Sequence, residues 1–256
     1  MLNRLKGKAI IVIGGGSGIG AGTVRRLASE GANVCVADIN EDTATRVASE
    51  VRERGGSAFA IQMDISDQAS INSAMDATIK RLEGLDGAFI NAADLRIIHS
   101  DTDLLAEDLA VFDRTIAVNL RGHFLAARAA LPHLLARGGG ALVFTSSGSA
   151  EAGEPERPAY AASKAGMHAL MRHIASRWGR DGITANCVAS GVVISPEVAA
   201  SGRVSQEFLD NALANIKGRR LGQVEDIAAV VAMLLSDEGK WINGQVFHIN
   251  GGALFR

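Results

Sequence analysis

The stretch Ala9-Ile10-Ile11-Val12-Ile13-Gly14-Gly15-Gly16-Ser17-Gly18-Ile19-Gly20 decides the fold of this chain. Its apolar run, from Lys8 to Ile13, reads as a buried strand. Six glycines then interrupt the charge-free stretch from Ala9 to Val24, so it reads as strand, turn and helix start, not as a signal or membrane segment. Glycines let the chain turn tightly and bring its backbone close to a pyrophosphate. The N-terminus of the following helix, Gly18 to Glu30, adds free N–H groups and a positive dipole end.

The same alternation runs along the whole chain. Strands are predicted at Asn33 to Asp38, Ser57 to Gln62, Asp86 to Asn91, Gly140 to Thr145, Ile183 to Val188 and Gln245 to Ile249. Helices are predicted at Glu41 to Arg54, Asp67 to Glu83, Leu104 to Asp113, Ile116 to Arg137 and Ala159 to Arg180. Apolar strands joined by helices imply a mostly seven-stranded parallel sheet with helices on both faces: an α/β, doubly wound, Rossmann-type domain over residues 1–256. Ligands of such folds sit beyond the carboxyl ends of the strands. The stretch Gly191 to Gly222 departs from the alternation and reads as an insertion covering the site.

Two further features carry chemistry. Asp38 closes the second strand, eighteen residues after Gly20. A carboxylate there accepts hydrogen bonds from adenosine ribose hydroxyls and repels a 2′-phosphate, so NAD is favoured over NADP. Asp38 also reads as a helix N-cap, with Glu41 three residues on. Tyr160, the only tyrosine, lies one helical turn before Lys164, so the two share a helix face. Ser147 lies thirteen residues upstream and is preferred over its neighbours Ser146 and Ser149 on that spacing. A phenol, an ammonium and a hydroxyl that converge can move a proton on and off a substrate oxygen. Asp64 follows the third strand and reads either as a contact to the adenine amino group or as a turn residue.

The spacing of Gly14, Gly18 and Gly20, with Ser147, Tyr160 and Lys164, closely resembles the short-chain dehydrogenase/reductase family over essentially the whole chain. Asn119 matches that family's catalytic asparagine, and Gly218 to Ala228 and Asn243 to Gly252 match its late motifs. The resemblance implies a hydride-transferring oxidoreductase acting between NAD(H) and a secondary alcohol or ketone. Tyr160 would be the acid–base group, Lys164 would lower its pKa, Ser147 would hold the substrate oxygen, and Asn119 a water linking Lys164 to solvent. It places the cofactor against Gly14, Ser17, Gly18, Ile19, Gly20, Asp38, Asp64, Ile65, Asn91, Ala92, Tyr160, Lys164, Gly191, Val193 and Ser195. It also implies a homotetramer, with a dimer as the alternative, built through the two long helices and the last strand. Departures stand at Ile13, Ile90, Ala93, Ser190 and Asn250. The alternatives are an NADPH-dependent ketone reductase and a cofactor-binding sensor without turnover; the complete Asn-Ser-Tyr-Lys set argues against the sensor.

Bulk composition agrees. Hydrophobic residues make up 47%, charged residues 21%, and the net charge is −2, with a pI of about 6.3. Nothing favours nucleic acid or an anionic membrane surface. Cys35 and Cys187 sit in apolar runs without metal spacing, which points to buried thiols in a reducing compartment, the cytoplasm. No metal site is expected. Substrate choice is expected to rest on Asp94 to Ser100, Ser149 to Ala159 and Ser195 to Lys217. The polar second segment, with Arg96 and His99, reads either as contacts to a small or medium polar secondary alcohol or its ketone, or as a solvated rim.

Overall fold

A computed structural model of the chain describes residues 3–195, 198–199 and 204–255. Its first half runs β1 (Ala9–Ile13), α1 (Gly18–Ser29), β2 (Asn33–Asp38), α2 (Glu41–Glu53), β3 (Ser57–Gln62), α3 (Gln68–Leu82) and β4 (Gly87–Ile90). Then come α4 (Leu109–Ile116), a π-helical turn (Ala117–Gly122), α5 (His123–Ala136), β5 (Gly140–Ser147), the short α6 (Ser149–Ala152) and α7 (Pro158–Trp178). The chain closes with β6 (Ile183–Ser190), α8 (Gln206–Asn215), α9 (Val224–Leu235) and β7 (Val246–Ile249).

The seven strands form one sheet in the order β3-β2-β1-β4-β5-β6-β7, every pair parallel. Strand alternation divides the core. Ile11 and Ile13 face α3, α5 and α7, whereas Ile10 and Val12 face α1, α2 and α9. Both faces are therefore dry, which is why β1 reads as a continuous apolar run. The chain order reverses between β1 and β4, whose registered partners include Ile13 and Ile90. Gly14, Asn91, Asp38 and Ser147 all fall at carboxyl strand ends around that switch point.

Local chemistry moved several boundaries. The helix expected from Leu104 starts at Leu109. Asp103 accepts from the Leu105 and Ala106 N–H groups to make a turn, and Asp108 caps α4 by accepting from Ala110 N–H at 2.9 Å. The single helix expected from Ile116 to Arg137 is divided by the π-helical turn. Asp38 is not the cap of α2. Asn40 is, accepting from Thr43 N–H at 3.1 Å, while the Asp38 carboxylate turns to Gly16 N–H and Asn40 N–H. Helix α9 was not anticipated, although the capping box of Gln223 and Asp226 before an apolar run announces it. Within the expected insertion at 191–222, residues 196–197 and 200–203 lie outside the described residues. No helix among the described residues is long and apolar enough to cross a membrane, and none of their side chains cluster as metal ligands.

Candidate active site

The glycine turn is shaped by close backbone approach. Gly14 and Gly15 donate to the Ala37 carbonyl at 2.8 and 3.0 Å, stitching the turn to β2. Gly14 has φ +79°, and a Cβ there would lie 2.7 Å from Ala92 Cα. A Cβ on Gly20 would lie 1.9 Å from the Gly14 carbonyl oxygen, so the first turn of α1 rests directly on the loop. Gly18 has φ +52° and open space beside it, while Ser17 makes no side-chain cap. The first N–H groups of α1 are thus uncapped by Ser17, the donor set an anion would use. Ile19 packs its side chain on the α1-side core.

Asp38 lies beside this turn. One carboxylate oxygen accepts from Gly16 N–H at 2.8 Å and the other from Asn40 N–H at 3.0 Å. Arg46 reaches the Gly16 carbonyl at 3.4 Å and pairs with Glu50 at 2.6 Å. Asn91 bridges the turn to β5: its amide donates to the Gly14 carbonyl at 3.0 Å and accepts from the Thr145 hydroxyl at 2.8 Å. Asp64 accepts from the Ser66 N–H and hydroxyl at 2.8 and 2.7 Å, beside the buried Ile65. Across the crevice, Gly191 donates to the Ile249 carbonyl, and a Cβ there would meet Asn250 Cα at 2.9 Å. Val193 bridges to Gly222, and the Ser195 hydroxyl accepts from Val198 N–H at 3.2 Å.

The reactive groups converge at the end of β5 and the start of α7. Lys164 is 1% exposed, and its ammonium donates to the Thr145 carbonyl at 2.8 Å, lying 5.5 Å from the Tyr160 ring centre. Burial lowers its pKa to about 8, slightly offset by Cys187. Burial raises the pKa of the Tyr160 phenol, and the nearby Ser147 hydroxyl and Arg157 charge pull it down by less. The expected lowering by Lys164 is not among the influences on the phenol; desolvation disfavours the phenolate and sets the direction. Ser146 faces away from Tyr160. Its hydroxyl contacts His168 Nε2 at 2.7 Å and donates to the Lys164 carbonyl. Asn119 is fully buried in the π-helical turn. Its Oδ1 accepts from Asp94 N–H at 3.1 Å, and its Nδ2 has no protein partner among the described residues. A π-helical bulge at such a position is common at functional sites.

Two residues beside these groups, His123 and Asp101, escaped sequence reading, and Asp94 entered it only as the start of a substrate segment. His123, fully buried, places Nε2 2.7 Å from the Ala92 carbonyl and stacks on Phe144. Burial, then the Lys164 charge, lowers its pKa to about 3. Asp101 accepts from the Ala159 and Tyr160 N–H groups at 3.3 and 2.7 Å, capping α7 from a distant loop. Asp94 takes both Arg96 and Arg114, and the Arg96 hydrogen bond above all holds its carboxyl at about 2. Arg96 gives its Nε and Nη2 to Asp94 while its side chain stays largely exposed.

Comparisons with known proteins agree with this fold. Residues 14–253 match the family model described as enoyl-(acyl carrier protein) reductase. A probable short-chain type dehydrogenase/reductase of Bradyrhizobium diazoefficiens is 36% identical, over 99% of this chain and 89% of that protein. A 7α-hydroxysteroid dehydrogenase complexed with NADH and 7-oxo glycochenodeoxycholic acid superposes with TM-score 0.90. It is 31% identical over 98% of this chain and 95% of that one. A short-chain dehydrogenase from Burkholderia cenocepacia in complex with NADP has TM-score 0.88 and 33% identity, over 98% and 99%. The fold and site define a doubly wound oxidoreductase. The chain belongs to the short-chain dehydrogenase/reductase family.

Proposed function

We propose that this chain is an NAD-dependent dehydrogenase/reductase that moves a hydride between NAD(H) and a secondary alcohol or its ketone. The observation that carries the reading is the buried Lys164 ammonium 5.5 Å from the ring centre of Tyr160, one helical turn away, with the Ser147 hydroxyl close enough to bear on the phenol. A structural lysine gains nothing from full desolvation, which costs several kcal/mol, of order, unless its charge is used. The nucleotide fit rests on the uncapped start of α1 and the glycines at Gly14 and Gly18. Gly14, Ser17, Gly18, Ile19 and Gly20 would hold the pyrophosphate, and Asp64, Ile65, Asn91 and Ala92 would line the adenosine side. Gly191, Val193 and Ser195 would close over the nicotinamide, which supplies or takes the hydride when bound.

Within that frame, Tyr160 gives its phenol proton to the substrate oxygen in reduction and takes one in oxidation. Lys164 holds positive charge beside the phenol and would grip the nicotinamide ribose. Ser147 holds the substrate oxygen beside Tyr160. Asn119, with an Nδ2 that lacks a protein partner, would bind the water that connects Lys164 to solvent. NAD is favoured because each Asp38 oxygen retains a lone pair for a ribose hydroxyl, and because Arg46 is already paired with Glu50. The relatives with NADH and with NADP do not separate these cofactors. Exposed Phe124 on α5 and Leu109 on α4 support assembly into a homotetramer through the helices around them. We place the protein in the cytoplasm, consistent with two buried free thiols.

The test is NADH formation from NAD⁺ across a panel of secondary alcohols at mildly alkaline pH, with Tyr160→Phe beside the natural protein. Turnover that disappears in the variant supports the assignment, and full activity in the variant overturns it. Asp38→Ala with Ile39→Arg should shift preference toward NADPH; an unchanged preference would sink the role of Asp38.

A further inference from the structure

Asp94, in the loop after β4, makes contacts in three directions. Its carboxylate takes a bidentate pair from Arg96 of the same loop, Nε at 2.8 Å and Nη2 at 2.7 Å. It also takes Arg114 Nε of α4 at 3.1 Å. Its backbone N–H donates to Asn119 Oδ1 at 3.1 Å. The Asp94 side chain is only 4% exposed, so these partners stand in for water. The Arg96 bonds close within the loop. Of the two ion pairs, only that with Arg114 ties the carboxylate to the helical run that carries Asn119. Arg114 and Asn119 stand five residues apart, the hydrogen-bond period of the π-helical turn around Asn119. In an ordinary α-helix, side chains five apart point about 140° away from each other. The wider turn lets both reach Asp94. A backbone N–H can only donate, so the Asn119 atom that faces Asp94 is the carbonyl oxygen. Asn119 Nδ2 then faces the other way, fully buried and without a hydrogen-bond partner among the described residues. A buried donor of that kind is costly unless a group outside the protein accepts from it.

We propose that Asp94 and Arg114 are positioning residues whose ion pair pins the Asp94 backbone against Asn119 and so fixes which way the Asn119 amide points. The inference rests on Asn119 belonging to the active site, as the proposed function has it. It adds that the segment beginning at Asp94 serves the site through its backbone, with its first side chain turned to α4. With the pair cut, the Asp94 N–H loses its hold on Asn119 Oδ1, and the amide gains a second orientation. That orientation puts an oxygen where Nδ2 stood, and an oxygen cannot donate. Arg96 shapes the loop but does not join it to α4, so the effect belongs to Arg114. Arg114 has a second branch: its Nη1 donates to the Ser66 hydroxyl at 3.3 Å, and Ser66 donates to Asp64 at 2.7 Å. That branch leads to the expected adenosine side and needs its own control.

The experiment measures hydrogen exchange at the Asp94 amide in the full chain and in its Arg114→Gln, Arg114→Lys, Asp94→Asn, Arg96→Gln and Ser66→Ala variants. Protection at residue 94 should fall by about tenfold or more in Arg114→Gln, because a charge-assisted bond is lost. Asp94→Asn keeps the shape of the side chain, removes its charge and should give the same loss from the other partner. Arg114→Lys restores a cation and should recover part of the protection. Arg96→Gln and Ser66→Ala should each change it by less than Arg114→Gln. The second arm is a double-mutant cycle on turnover of the best alcohol. Arg114→Gln should lower kcat about fivefold or more in the natural protein and add nothing in the Asn119→Ala background. Unchanged protection in Arg114→Gln and Asp94→Asn would overturn the proposal. Equal losses in Arg96→Gln and Arg114→Gln would mean general loosening of the loop, and additive losses of kcat would mean that Arg114 acts apart from Asn119; either would overturn it too. Absence of turnover with every alcohol would count against the enzymatic reading, while the exchange arm would still decide this one.

Discussion

His123 makes acid stability a direct probe of the buried site. Its ring is fully buried, its Nε2 lies 2.7 Å from the Ala92 carbonyl, and the Lys164 charge opposes its protonation. The folded protein therefore takes up a proton on His123 only near a pKa of about 3. In the unfolded chain a histidine titrates at about 6.5. Between those values the unfolded state binds more protons, so acid favours unfolding. The stability contributed by the neutral ring is complete above the unfolded pKa and drains as pH falls toward the folded one. At about 1.36 kcal/mol per pH unit, the loss between pH ~7 and pH ~5 is about 2 kcal/mol.

The perturbation that isolates this loss is His123→Gln, whose amide can still donate to the Ala92 carbonyl but cannot titrate. Urea denaturation of both proteins at the two pH values gives the stability change in each. Other groups, including the partly buried His168, are common to both proteins and cancel in the comparison. The natural protein should lose about 2 kcal/mol more than the variant. Equal losses would refute the reasoning, because the ring would then have a way to charge inside the fold.

The remaining expectations concern the two loops that frame the site. Gly20→Ala puts a methyl carbon where the Gly14 carbonyl oxygen lies 1.9 Å away, so the turn must open. NADH affinity, followed by fluorescence titration, should fall by about tenfold or more, equivalent to about 1.4 kcal/mol. Unchanged affinity would mean that the turn does not hold the nucleotide. Asp101→Ala removes the acceptor for the Ala159 and Tyr160 N–H groups and should cost about 1–2 kcal/mol of stability. Hydrogen exchange at those two amides should accelerate more than at the centre of α7, and uniform protection across α7 would contradict the capping role.

What the sequence determined by itself was everything with a short period. The apolar run before Gly14, the glycines after it and the strand–helix alternation imply a parallel doubly wound sheet, because periodicity and turn chemistry act over a few residues. The one-turn spacing of Tyr160 and Lys164 is likewise local, and α7 presents both to the same crevice. Tertiary structure alone decided the rest, because those contacts join residues far apart along the chain. His123 reaches Ala92 across 31 positions, Asp101 reaches Tyr160 across 59, and Asn91 reaches Gly14 across 77. Short spacing did not suffice where several partners compete: Asp94 takes Arg96 two residues away, but it also takes Arg114 twenty residues on, a pairing only the fold brings about. The π-helical turn around Asn119 reads as ordinary helix in sequence. Its position follows from packing, with Gly122 against Ile65 and Leu120 against Gly166 of α7.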